Sequence, residues 1–204
     1  MMNLKKFTLL AVLATGALLA GCDDGSTSAN SIPKKTNEFE TGRFALQKMI
    51  PAARLWSPDA QPVQLESVTT SESNGHEGKS GNWRAVFGSV SRRKAEPFMW
   101  SGMADAPRKV DHGVEDTFNP NNRSMSPWDL NFLKVDTDKA LEVAQEHGGK
   151  QLLEKDPKLP IMYMLEWNAQ SNQLIWHVIY GGSPSNAKLA VLVDATTGAY
   201  LRKE

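Results

Sequence analysis

Apolar residues recur along this chain first with helical spacing, then with strand spacing, and the order is then repeated. Leu46, Met49, Ile50 and Ala53 fall at i, i+3, i+4 and i+7, one face of a helix. Pro51 lies inside that pattern and predicts a kink or two helical pieces. Ser57-Pro58-Asp59 predicts the end of the helix. Val63, Leu65 and Val68 then alternate with polar neighbours, predicting a half-buried strand over 62–70. A polar, glycine-containing loop follows over 71–81. Trp83 to Val90 reads as a second strand and Pro97 to Trp100 as a third, with Pro97 suited to a strand start or an edge. The stretch from Ala104 to Ser126 is irregular, with the turn cluster Asn119-Pro120-Asn121-Asn122.

Asp136 is then a plausible N-cap, with Asp138 in the first turn. Ala140, Leu141, Ala144 and Leu152 follow at roughly helical spacing. Gly148-Gly149 weakens the middle of that helix, by about 1 kcal/mol per glycine relative to alanine. The helix stops before Pro157. Strands are predicted over 160–167, 173–180 and 189–193, the first two joined by a turn at Ala169-Gln170-Ser171-Asn172. The chain closes through Asp194-Ala195-Thr196-Thr197-Gly198 into Ala199-Tyr200-Leu201.

The two halves also agree in residues. Trp83-Arg84-Ala85-Val86-Phe87-Gly88 matches Trp176-His177-Val178-Ile179-Tyr180-Gly181 in kind, at a separation of about 93 residues, longer than a solenoid repeat. Agreement in residues and in element order together favours an internal duplication. The expected organisation is a segment 1–21 to be removed, a tether over 22–37, a first unit over 38–103, a connector over 104–134 and a second unit over 135–204.

The Val193-Asp194-Ala195-Thr196-Thr197-Gly198 hairpin, preceded by an Ala/Leu-rich helix and strands, resembles the PepSY-type domain, whose terminal hairpin carries a VDAxTG-like signature. The resemblance covers 135–203 and, more faintly, 38–100; no Asp-x-x-Thr-Gly follows the third strand of the first copy. It implies an α+β fold of two tandem cystatin- or PepSY-like units, each a helix packed on an antiparallel sheet. It also implies envelope proteins that restrain peptidases or sense ligands, and it carries over no catalytic residue. Asp194 and Gly198 themselves read as a structural turn: the carboxylate accepts backbone N–H groups ahead of it, and the glycine supplies a positive φ.

The start of the chain changes the picture of where this fold works. Lys5 and Lys6 precede an apolar run from Phe7 to Leu19, which leads into Leu19-Ala20-Gly21-Cys22. This order resembles the bacterial lipoprotein signal, in which the cysteine, here Cys22, is acylated (palmitate among the acyl chains) and becomes the mature N-terminus. The apolar run is short of the roughly 20 residues that span a bilayer. Such a signal places the protein in the cell envelope, lipid-anchored and periplasm-facing. Asp23 after the cysteine favours inner-membrane retention where enterobacterial-type sorting applies. Asp23 to about Asn37 is polar and reads as a disordered tether.

Composition then excludes several classes. Cys22 is the only cysteine, so the mature protein has no internal disulfide and no CxxC or multi-cysteine zinc motif. Lys plus Arg and Asp plus Glu are 23 each, and no basic stripe points to nucleic acid. No HExxH or GxSxG occurs, so neither metal, cofactor nor catalytic residue is assigned. Of the four histidines, His76 sits in a Gly/Ser loop and His177 mid-strand; His112 and His147 complete the set. Arg92-Arg93-Lys94 reads as a solvated bend, with an acidic partner or lipid headgroups as the alternative.

Both faces of strand 173–180 are apolar, with Leu174, Trp176, Val178 and Tyr180 on one and Ile175 and Ile179 on the other. One face is expected to meet the helix and the other to pack on the first unit or to bind a partner. Trp176, Tyr180, Trp83 and Phe87 are accordingly the candidate partner-binding residues. The functional expectation is a non-enzymatic, membrane-anchored envelope lipoprotein that binds a protein or peptide, with modulation of a peptidase as one form. A structural assembly lipoprotein and an enzyme whose site is built from scattered groups remain the alternatives.

Overall fold

The computed structural model describes residues 35–204, and the lipidation motif with Cys22 lies outside them. The fold is α+β. Helix α1 (Gly42–Trp56) leads into strands β1 (Gln61–Ser67), β2 (Asn82–Ser89) and β3 (Lys94–Ser101). Two short strands, β4 (Val110–His112) and β5 (Asp116–Thr117), lie within the connector that the sequence predicted to be irregular. Helices α2 (Thr137–Ala144) and α3 (Lys150–Lys155) precede β6 (Ile161–Asn168), β7 (Gln173–Tyr180), β8 (Leu189–Asp194) and β9 (Tyr200–Lys203). All nine strands form one sheet of order β4-β3-β2-β1-β6-β7-β8-β9, with β5 beside β4 on β3, and every pairing is antiparallel.

The halves meet edge to edge. β1 pairs with β6 in the register Gln64↔Glu166, Leu65↔Leu165 and Glu66↔Met164. This corrects the expectation that the face of strand 173–180 turned away from the helix would pack on the first unit. The period-2 alternation of a strand sends Leu174, Trp176, Val178 and Tyr180 into a core shared with Ala45, Met49, Ala140 and Ala144 of the helices. Ile175 and Ile179 instead gather with Met162, Ala190 and Leu192 in a separate cluster.

The helix starts come together at the seam. Asp136 caps α2 by accepting from the N–H of Thr137 at 2.8 Å, and the same oxygen accepts from the N–H of Arg43 at 2.9 Å. The Thr137 hydroxyl accepts from the N–H of Gly42 at 3.1 Å and donates to the Gly78 carbonyl. Two positive helix ends are thus bridged by one carboxylate and one buried hydroxyl. A side chain at Gly42 would meet the rings of both Trp83 and Trp176. Trp83 donates through Nε1 to the Glu40 carbonyl at 3.0 Å, and Trp176 donates to the Val135 carbonyl at 2.9 Å. Each carbonyl belongs to the residue just before the N-cap of its helix, Thr41 or Asp136.

Two further expectations are corrected. α1 runs unbroken through Pro51, because Pro51 and Gln47 both face water and the carbonyl that loses its partner remains solvated. Pro97 is neither a strand start nor on the outermost strand: it pairs with Val86 inside β3. Its carbonyl accepts from Gly113 on the β4 side, so the missing N–H also faces that side, in the gap between β4 and β5. The second helix is broken as the glycines predict. A π-helical turn spans Gln145–Gly149, with His147 at φ −104° and Gly148 at φ 110°.

Candidate functional site

Trp83, Trp176 and Tyr180 are 0% exposed and Phe87 1%. The four residues singled out for a partner form core instead, because each points to the helix-covered face of its strand. Of the four, Trp83 adjoins a groove while its side chain stays fully buried. The Asp194 turn has the geometry of a hairpin lock. Its Oδ1 accepts from the N–H groups of Thr196 and Thr197, both at 2.8 Å, and Gly198 closes it at φ +79°.

The histidines are dispersed. His76 Nε2 lies 3.0 Å from the Leu159 carbonyl, and His147 stacks on Tyr200 at 3.8 Å. His177 Nε2 lies 3.4 Å from Glu166. His112 Nδ1 lies 2.5 Å from Oε1 of the buried Glu96. Among the described residues no three His, Cys, Asp or Glu side chains are grouped to hold a metal ion. In the basic bend, Arg92 pairs with Glu115, stacks over Trp56 and donates to the Trp56 carbonyl.

Three sets of titratable groups depart from their ordinary values among the described residues, and the exposed Lys139, raised by its hydrogen bond to Glu142, is the simplest. Asp59 accepts from Ser89 Oγ at 2.6 Å, the Ser91 N–H at 2.9 Å and Ser57 Oγ at 2.7 Å. The Ser89 hydroxyl above all holds its carboxyl well below the usual range, and the cage ties the end of α1 to the β2–β3 hairpin. Burial pushes the phenols of Tyr163 and Tyr180 up, so both stay neutral. Tyr163 donates to the Gly75 carbonyl at 2.7 Å, whereas the Tyr180 hydroxyl has no partner among the described residues.

What the fold builds that could take a ligand is a groove of about 600 Å³, within the range of small-molecule and peptide pockets. It lies where the loop after β1 and the loop after β3 flank the start of β2. Its apolar lining includes Val68, Met99, Met103 and Pro107. Val68 and Met99 are each 42% exposed. Glu72, Asp105, Arg108 and Asp111 supply the charges of its rim. Asn37 spans the two loops: its side-chain amide donates to Glu72 at 2.9 Å and accepts from the Ala104 N–H at 2.9 Å. Sequence reasoning missed this site because its residues come from a predicted strand, a predicted loop and the connector. The available signal was Met99 and Met103 followed closely by Asp105, Arg108 and Asp111.

No protein-family model matches the chain, the PepSY family included, and no curated relative matches it. A solved structure does: the crystal structure of a protein assigned as a lipoprotein from Clostridium difficile 630, superposing with a TM-score of 0.50 at 14% identity. The match covers 83% of this chain and 93% of that one. At this identity the likeness concerns the fold alone, and it spans most of both chains.

Proposed function

We propose that this protein is a lipid-anchored envelope lipoprotein whose folded domain binds a peptide or protein partner and performs no catalysis. The observation that carries the binding reading is the groove between the two loops, with an apolar floor open to solvent and a charged rim. Anchoring is supported by Leu19-Ala20-Gly21-Cys22 and by the likeness in fold to a protein assigned as a lipoprotein. Among the described residues no helix is long and apolar enough to cross a membrane. In this reading acyl chains on Cys22 make the attachment, each buried methylene contributing about 0.8 kcal/mol.

In the same reading the domain arose by duplication of a PepSY-like unit. The matched Trp83 and Trp176 bonds to the carbonyls ahead of the two helices support it. Strand addition at a sheet edge is the weaker route to a partner, since β4, β5 and β9 are short and β9 carries Arg202 and Lys203.

The test is a photo-crosslinking side chain placed at Met99 in intact cells, with Leu55, 90% exposed and outside the groove, as control. A discrete adduct at 99 and none at 55 is expected, together with loss of acyl labelling and of membrane retention in Cys22→Ser. Turnover of a substrate abolished by one polar substitution, with folding intact, overturns the non-enzymatic reading.

A further inference from the structure

We propose that the groove takes an extended peptide bearing an apolar side chain next to a lysine or arginine, an inference that rests on the binding reading above. Three carboxylates, Glu72, Asp105 and Asp111, line the groove against one guanidinium, Arg108. That guanidinium already faces Asp111 at 3.8 Å, which leaves the rim with an excess of negative charge. Glu72 gives one oxygen to Asn37. The carboxylate of Asp105 has no cationic partner among the described ion pairs. A cation brought beside these groups is attracted, and an anion is repelled, before any contact forms.

The floor supplies the second half of the recognition. Met99 and Met103 are unbranched and polarizable, so they adjust to side chains of different outline. Val68, 42% exposed, and Pro107 add apolar surface beside them. Thr70, Ser71 and Ser101 also line the groove; the Thr70 and Ser101 hydroxyls accept from the N–H groups of Ser73 and Met103 and keep a donor each. Such a site selects by charge and by the presence of one apolar anchor, and so admits a class of sequences.

The experiment uses the purified mature chain in detergent micelles and fluorescence anisotropy. The probe is a labelled peptide Gly-Lys-Leu-Phe-Lys-Gly, and the control carries glutamate in place of both lysines. The lysine peptide is expected to bind at least about tenfold more tightly than the glutamate peptide, with the difference shrinking as salt is raised. Asp105→Lys and Met99→Ser are each expected to weaken it about tenfold, with the far-ultraviolet spectrum unchanged; Glu154→Lys, on exposed α3, is expected to change nothing. Equal binding of the two peptides, still weakened by Met99→Ser, overturns the charge selectivity while the groove keeps its binding role. Binding indifferent to both groove substitutions overturns the inference and the groove reading together. Binding of neither peptide overturns the inference alone, and the crosslink at position 99 then decides the groove.

Discussion

Gly149→Ala should destabilise this protein although helix propensity says the opposite. Gly149 has φ −62° and ψ −41°, ordinary helical values that alanine adopts freely. Propensity alone would make the substitution stabilising by about 1 kcal/mol. A Cβ at this position, however, would stand 1.8 Å from Tyr180 Oη, 2.1 Å from Cζ and 2.8 Å from Cε2. Ordinary contact begins near 3.4 Å, so the ring or the helix must move by more than 1 Å. Tyr180 is 0% exposed, and its rigid ring packs among Ile161, Val178 and Val191 in the main core. Overpacking of this kind costs about 1–3 kcal/mol. Set against the propensity gain, a net loss of up to about 2 kcal/mol is expected. The measurement is urea unfolding followed by tryptophan fluorescence on residues 35–204, which form one compact unit. Four proteins are compared: wild type, Gly149→Ala, Tyr180→Leu and the double variant. Removing the ring removes the clash, so the double variant should be more stable than additivity predicts, by about 2 kcal/mol. A stabilising Gly149→Ala, or additivity within about 0.5 kcal/mol, would refute the packing argument.

Three other outcomes follow from named contacts. Tyr180→Phe should be neutral or stabilising by up to about 1 kcal/mol, because it removes a buried hydroxyl without a partner; Tyr163→Phe should cost about 1 kcal/mol, losing the bond to Gly75, both read by the same unfolding assay. Thr137→Val keeps the shape but strips the Gly42 N–H and Gly78 carbonyl of their shared partner, and should cost about 1–3 kcal/mol in thermal or urea unfolding. Asp59→Asn should cost about 1 kcal/mol near neutral pH, less than the roughly 1.5–3 of a buried hydrogen bond to a charged group because the carboxylate is solvated. Since the folded carboxyl lies below its unfolded value of about 4, its contribution is present above that pH and fades as pH falls through it. The gap between wild type and Asp59→Asn should therefore narrow below about pH 4, and a gap that widens there contradicts the serine cage.

Local patterning was enough to read the order of the main helices and strands, while the short β4 and β5 escaped it. The i, i+3, i+4 spacing of Leu46, Met49, Ile50 and Ala53 marks α1 and alternation marks β1, because burying one face of an element imposes its own period; short runs rich in aromatic and aliphatic residues bounded by turn residues mark β2, β6, β7 and β8. Asp136, Gly148-Gly149 and the Asp194–Gly198 turn were equally legible, since capping, helix breaking and positive φ depend on a few adjacent residues. The resemblance to a lipoprotein signal that ends at Cys22 is read from the sequence alone and lies outside the described residues. What only the tertiary structure decided is long-range. Strand pairing sets β1 against β6, which joins the halves in one sheet over one shared core. That choice puts Trp176, Tyr180, Trp83 and Phe87 under the helices, where an aromatic pattern read from sequence cannot distinguish an anchor in the core from one on a surface. It also assembles the groove from 68–72, 82–83 and 99–111, segments that periodicity cannot connect because their proximity is decided by the register of β2 on β3 and by the path of the loops.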